Sequence, residues 1–253
     1  MGVDRLTYVG HATTLIEVDG VTLLTDPVLR DRIGHIPRIA PAVGGDLRPD
    51  AILISHAHRD HLDLPSLRRL PSSIPAFAPP AVAEILRRRG RPVTELVPGR
   101  RVQVGALEIT AVEADHDGRR IPVGRPRRAI GFLVDGTVRV YFAGDTDLFD
   151  GMRALGPDVD VALLPIWGWG PRLGPGHLDP EGAARAAGML APRVAIPIHW
   201  GTYASRGAPW RDDPAMPARE FERHATVHSP DTAVKVLAPG ESSALSPAVR
   251  EAR

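Results

Sequence analysis

The segment Ser55-His56-Ala57-His58-Arg59-Asp60-His61 places four potential metal ligands within six residues. It directly follows the apolar run Ala51-Ile52-Leu53-Ile54, which reads as a strand covered on both faces. The chain has no cysteine, so thiolate nucleophiles, zinc–thiolate sites and disulfides are excluded, and metal chemistry must use imidazole and carboxylate. In an extended segment, side chains two apart point the same way, so His56 and His58 can share one ion. Asp60 and His61 are offset toward a neighbouring point, which suits a second ion. Two imidazoles do not complete a catalytic site. The missing donors are expected at other strand ends, where His116, Asp145 and His199 each follow an apolar run. A lone histidine in such a place is ordinarily a packed or surface residue. The density of the 56–61 cluster is what gives the three later positions weight.

The elements that must carry these residues are short. Residues 5–9, 13–18 and 21–25 read as strands, with Asp19-Gly20 as a tight hairpin turn. Residues 27–49, rich in Gly, Pro and Arg, show neither period and are either a lid or a surface excursion. Asp63 suits an N-cap and Pro65 a first turn, with Leu64, Leu67 and Leu70 on one apolar face; Pro79-Pro80 opens a helix through about Arg89. Strands are expected at 93–97, 101–104, 107–113, 130–134, 138–142, 159–165, 194–198 and 233–237. Asp179, Pro180 and Glu181 begin an Ala-rich helix to about Leu190, and another helix lies near 215–224.

The chain has 253 residues, net charge +1 and 43% hydrophobic residues, which fits a soluble α/β protein with no field to draw in nucleic acid or a membrane surface. No apolar run is long enough to span a bilayer, and the N-terminus lacks signal-peptide regions, so a cytoplasmic location is expected. Without an internal repeat or linker, residues 1–253 read as a single domain. The oligomeric state is open.

The His-x-His-x-Asp-His segment resembles the signature of the metallo-β-lactamase fold hydrolases. Thr25-Asp26-Pro27, His116 after its strand, Gly144-Asp145-Thr146 and Ile198-His199-Trp200-Gly201 resemble the family's other motifs in the same order, from about Leu6 to Gly240. The resemblance implies a four-layer αββα sandwich with two divalent ions between its sheets, zinc first, with manganese or iron also compatible. It implies that His56, His58 and His116 hold one ion, that Asp60, His61 and His199 hold the other, and that Asp145 bridges them. Asp26 would support the site or the fold. With no cysteine and an aspartate at the bridge, antibiotic hydrolysis is not expected. Gly10-His11-Ala12-Thr13, Gly176-His177-Leu178-Asp179-Pro180 and the His199 motif look most like one branch, which contains N-acylphosphatidylethanolamine phospholipases D and lactonases related to L-ascorbate 6-phosphate lactonase.

The expected chemistry is hydrolysis of a phosphodiester or lactone-type ester by a hydroxide bridging two ions, with Asp60 orienting the nucleophile and shuttling a proton. His177 is either an oxyanion-stabilising, substrate-binding or general-acid imidazole, or a residue bonded to backbone at a helix start; the functional reading is favoured. His11 is balanced between function and packing. Arg119, Arg120, Arg125, Arg127 and Arg128 would suit an anionic substrate group, although a solvated face is the more ordinary reading. Trp167 and Trp169 could wall a substrate pocket or simply pack. His35, His224 and His228 read as structural or surface residues. The expected substrate is a small or lipid-like, possibly anionic molecule, not nucleic acid. The alternatives are a nuclease-like phosphodiesterase and a metal-binding module without turnover.

Overall fold

The computed structural model describes residues 3–41, 45–118, 127–156, 158–170, 172–208 and 211–246. The chain opens as a meander of β1 (Arg5–Gly10), β2 (Thr13–Val18) and β3 (Val21–Thr25). Asp19 and Gly20 both take positive φ, 51° and 76°, so Val18 pairs with Val21 across a two-residue turn. β3 runs parallel to β6 (Ala51–Leu53), which continues the sheet through β7 (Ala76–Ala78) and β8 (Val93–Glu95). β16 (Ser242–Ala244) pairs with β1 at the other edge.

The second sheet has the order β15 (Ala233–Val234), β14 (Val194–Ile198), β13 (Val161–Pro165), β12 (Val140–Phe142), β11 (Arg128–Asp135), β10 (Leu107–Asp117), β9 (Arg101–Val104). β12 through β15 are parallel, and two antiparallel steps through β11 leave β10 running the same way as β12. The C-terminal ends of β10, β12, β13 and β14 therefore face one edge.

Alternation along the strands shows what covers each face. In β6, Ala51 and Leu53 join the core between the sheets with Leu23, Ile109 and Phe132; Ile52 and the following Ile54 join a second core with Leu67, Val82 and Leu86. The second core lies under α1 (Leu64–Leu67) and α2 (Pro80–Arg87). α3 (Met152–Leu155), α4 (Pro180–Leu190) and α5 (Met216–His228) accompany the second sheet, where Ala183, Ala187, Phe221 and Ala225 are buried. The layers run helix–sheet–sheet–helix, as the resemblance implies.

Several expectations change. The helix after Asp63 has only four residues and ends before Leu70, although Asp63 does cap it by accepting from Ser66 N–H. β7, α3 and β16 carried no sequence signal of their own, and α5 runs on to His228. The 27–49 stretch, expected to hold no strand, contains a hairpin of β4 (Arg32–Ile33) and β5 (Ile36–Pro37). Pairing of two residues against two is too short to leave a period, and tertiary contacts hold it: Tyr203 Oη donates to Arg30 O at 2.6 Å, and Ile39 N–H donates to Thr202 O at 2.8 Å.

Candidate metal centre

β6 leads into Ser55 and His56 where β3 leads into Asp26, and the parallel pairing of these two strands puts the exits side by side. Asp26, fully buried, accepts Ser55 N–H at 2.7 Å on Oδ1, and on Oδ2 accepts Ser55 Oγ–H at 2.5 Å and His61 Nδ1–H at 2.7 Å. From the other sheet, β10 delivers His116, β12 delivers Asp145 after Gly144, and β14 delivers His199. Gly144 is needed where the sheets meet: its φ is +63°, and a Cβ there would lie 2.6 Å from Ser55 Cβ. His11, Asp26 and His199 also hold positive φ, at 57°, 30° and 65°. Backbone strain of about 1–3 kcal/mol per residue is thus gathered at one place.

The seven residues expected to bind metal converge in two groups. His56 Nε2 and His116 Nε2 lie 3.0 and 3.1 Å from His58 Nδ1. His61 Nε2 lies 3.1 Å from His199 Nε2, and Asp60 Oδ2 lies 3.8 and 3.7 Å from these two nitrogens. Asp145 stands between the groups, with Oδ2 3.1 Å from His61 Nε2 and 3.9 Å from His56 Nε2, and Oδ1 3.4 Å from His199 Nε2. That Oδ1 is buried and accepts no hydrogen bond.

Proton bookkeeping tests whether these residues suit a cation. His199 Nδ1 faces Trp167 O at 2.6 Å and His116 Nδ1 faces Gly176 O at 2.7 Å; a carbonyl only accepts, so both Nδ1 atoms carry the proton. His61 Nδ1 donates to the Asp26 carboxylate, and Ser55, having given its one proton to Asp26, accepts from His56 Nδ1 at 2.9 Å. With Nδ1 carrying the proton, the inward nitrogens of His56, His61, His116 and His199 are lone pairs whenever the ring holds a single proton. Facing lone pairs 3.1 Å apart, beside an unpartnered buried carboxylate oxygen, are poorly arranged for one another and well arranged for a cation. Their spacing also fits, since donors about 2.1 Å from a tetrahedral ion lie about 3.4 Å apart.

Electrostatics keeps two of these rings neutral and holds a second proton on a third. Burial holds His56 well below its ordinary value and His116 at about 4, keeping both neutral. Burial acts against the charged form of His61 too, but the carboxylates of Asp145 and Asp60 outweigh it and raise its pKa, so the proton on Nε2 faces Asp145 and is the one a cation would displace. Burial likewise opposes ionisation of Asp60 and Asp145, yet the surrounding imidazoles hold both well below the usual carboxylate range.

His11, left open by the sequence, lies beneath this cluster. It is buried, lies against His199 with centroids 3.8 Å apart and rings inclined by 33°, and places Nε2 3.1 Å from Asp60 Oδ2. Burial lowers its pKa to about 3, so it is neutral and donates Nε2–H to Asp60. Trp169 Nε1–H donates to the same oxygen at 3.0 Å. His177 turns Nε2 toward Asp145 Oδ2 at 3.5 Å, while Nδ1–H donates to the carbonyls of Gly174 and Pro175.

Above the cluster is a cleft of about 560 Å³, with His58, Asp60, Asp145, His177 and His199 at its base and Ile33, Ile36, Trp169 and Leu173 on its walls. A larger cleft of about 800 Å³ beside Leu64 and Arg68 contains none of the clustered residues, so size does not locate the chemistry. Of the two aromatic candidates, Trp169 lines the cleft and Trp167 packs against the inter-sheet core. Arg127 and Arg128 do not line it; they point toward Glu84 and Glu113 at 3.9 and 4.0 Å. Arg119, Arg120 and Arg125 lie outside the described residues. Among the described residues the arginines lining the cleft are Arg59 and Arg172, both exposed. Sequence reasoning passed over them: Arg59 sits inside the ligand motif, and Arg172 in a Gly- and Pro-rich run without a period.

Residues 22–200 match the family model described as a β-lactamase superfamily domain. A UPF0173 metal-dependent hydrolase of Methanopyrus kandleri is 35% identical over 250 residues, covering 94% of this chain and 98% of its own. The chain belongs to the UPF0173 metal-dependent hydrolases of the metallo-β-lactamase superfamily. Igni18, a metallo hydrolase from Ignicoccus hospitalis, matches this hydrolase with a TM-score of 0.72 at 27% identity, covering 97% of this chain and 99% of that one. CmlA, a diiron β-hydroxylase from Streptomyces venezuelae, matches with a TM-score of 0.69 at 20% identity, covering 97% of this chain and 55% of that one; what the two share is the fold. Among the described residues no helix is long and apolar enough to cross a membrane.

Proposed function

We propose that this metal-dependent hydrolase works with two divalent ions, one held by His56, His58 and His116, the other by Asp60, His61 and His199, with Asp145 between them. The observation that carries this reading is the set of inward ring nitrogens, each opposite an Nδ1 tied to a neighbour, arranged around a buried carboxylate oxygen with no donor. When bound, two such ions supply Lewis acidity and a water acidified for attack at neutral pH. Zinc is the first expectation from the imidazole-rich set, and the ligand chemistry also accepts manganese or iron.

The protein's own groups then divide the work. Against burial, the imidazoles around Asp60, His61 foremost, hold it ionised, and the N–H donors of His11 and Trp169 fix its carboxylate in one orientation. Its role is to orient the attacking water; a carboxylate so stabilised as an anion is a weak base, so we move the proton-transfer role away from it. His177 takes that role. Its Nε2 faces the cleft base, Nδ1–H is tied to backbone, and its pKa is raised to about 8: burial opposes the charged form, but the Asp145 carboxylate outweighs it. Protonated His177 is suited to hand a proton to a leaving oxygen.

The apolar walls over a charged base favour a substrate with a hydrophobic body attached to the reacting ester, either a phosphodiester or a lactone-type ester. The likeness of the His11, His177 and His199 motifs to the phospholipase D and lactonase branch supports the same two classes. Metal analysis of purified protein, followed by turnover assays on phosphodiesters, lactones and acyl phospholipids, tests this. Two ions per chain with hydrolysis of one class is expected. Two ions with no turnover across the panel would favour a metal-binding module.

A further inference from the structure

A second histidine cluster lies on the helical layer, outside the cleft. His224 and His228 are four residues apart on α5, which places them one turn apart on the same face. Their rings are 6.2 Å apart and inclined by only 19°. Glu181, in the first turn of α4, brings Oε1 to 3.6 Å from His228 Nε2. One donor atom from each of the three lies within 4.8 Å of the others. Donors around a tetrahedral ion stand about 3.4 Å apart, so small side-chain rotations close the set.

Neither packing nor capping accounts for this grouping. All three side chains are partly or largely exposed, and the α4 N-terminus is capped by Asp179, which accepts Gly182 N–H at 2.7 Å. The helix dipole favours an acidic residue in the first turn of α4 and a basic one at the end of α5, which suits Glu181 and His228 but leaves His224, and the approach of all three donors, unexplained. The backbones hold the spacing: a Cβ on Gly188 of α4 would lie 2.1 Å from the carbonyl oxygen of His228, so the helices meet backbone to backbone. One competitor is present, since Arg223 donates to His224 Nε2 at 2.9 Å. Arg223 also donates to the Glu220 carboxylate and can keep that contact alone.

We propose that Glu181, His224 and His228 form a separate metal site that takes a borderline divalent ion such as zinc or nickel, with water completing its coordination. Two imidazoles and one carboxylate match that class, whereas calcium and magnesium favour all-oxygen shells. The ion ties the first turn of α4, four residues after His177, to the end of α5.

The test uses the full chain already loaded with its resident ions, dialysed against zinc and analysed for metal by mass spectrometry. The wild type is compared with His224→Gln, His228→Gln and the double variant, each checked for unchanged circular dichroism. The wild type is expected to hold one zinc per chain more than the double variant, and zinc is expected to raise its unfolding midpoint more than that of the double variant. Glu181→Gln, an exposed change that leaves both imidazoles, weakens retention of the extra ion without altering the fold. Equal metal content in wild type and double variant overturns the site, whether the extra ion is absent from both or held elsewhere in both.

Discussion

His56, His61, His116 and His199 each have Nδ1 committed by a neighbour and Nε2 turned inward, and this division lets imidazoles serve as donors to a cation. Trp169 belongs to the same scheme, because its N–H and Asp60 share one hydrogen bond while its ring walls the cleft. Trp169→Phe keeps the wall and removes the donor; kcat is expected to fall about tenfold with KM nearly unchanged, in line with losing one charge-assisted bond of about 1.5 kcal/mol. A raised KM with kcat unchanged would instead mark a wall residue. Asp60→Ala should abolish turnover in metal-replete protein, and retained activity there would remove Asp60 from the mechanism. His177 gives a pH dependence in the metal-free protein. Its folded pKa of about 8 lies above the ordinary 6.5, so the folded state binds more protons in this window. Its contribution, on the order of 1 kcal/mol, is full below about pH 6.5 and lost as pH rises through 8. Urea unfolding of chelator-treated protein across that range should show this slope, and His177→Gln should flatten it.

At the scale of elements, the centre depends on strand ends that stop at the right height and on sheets that touch. Gly144→Ala puts a side chain into left-handed backbone and against Ser55, so a loss of at least ~2 kcal/mol is expected by denaturant unfolding. The β4–β5 hairpin has a different task. Ile33 and Ile36 pack with Val28 and Tyr203 and also line the cleft, so Ile36→Ala is expected to raise KM up to about tenfold without reducing bound metal. A reduced metal content would show that the hairpin supports the centre and does more than shape the substrate's surroundings.

Across the whole molecule, the two sheets bring together residues as distant in sequence as His11 and His199. Ions held as proposed would tie both sheets, and chelation is expected to lower stability by about 3–4 kcal/mol when they are present at several hundred times their Kd. Thermal unfolding with and without chelator, restored on adding metal back, measures this. The sequence by itself determined the donors: an imidazole–carboxylate set without cysteine, a dense 56–61 cluster, and apolar runs ending at His116, Asp145 and His199. It also marked the meander and the Asp179 cap, because burial and capping leave local patterns that can be read along the chain, while the layer order followed from the resemblance of its motifs to a known family. Only the tertiary structure decided how His11 and Trp169 hold Asp60, that Arg59 and Arg172 face the cleft in place of Arg127 and Arg128, and that Glu181 meets His224 and His228. Those pairings join segments far apart in the chain and leave no local pattern, since side-chain direction at a loop is set by what packs against it.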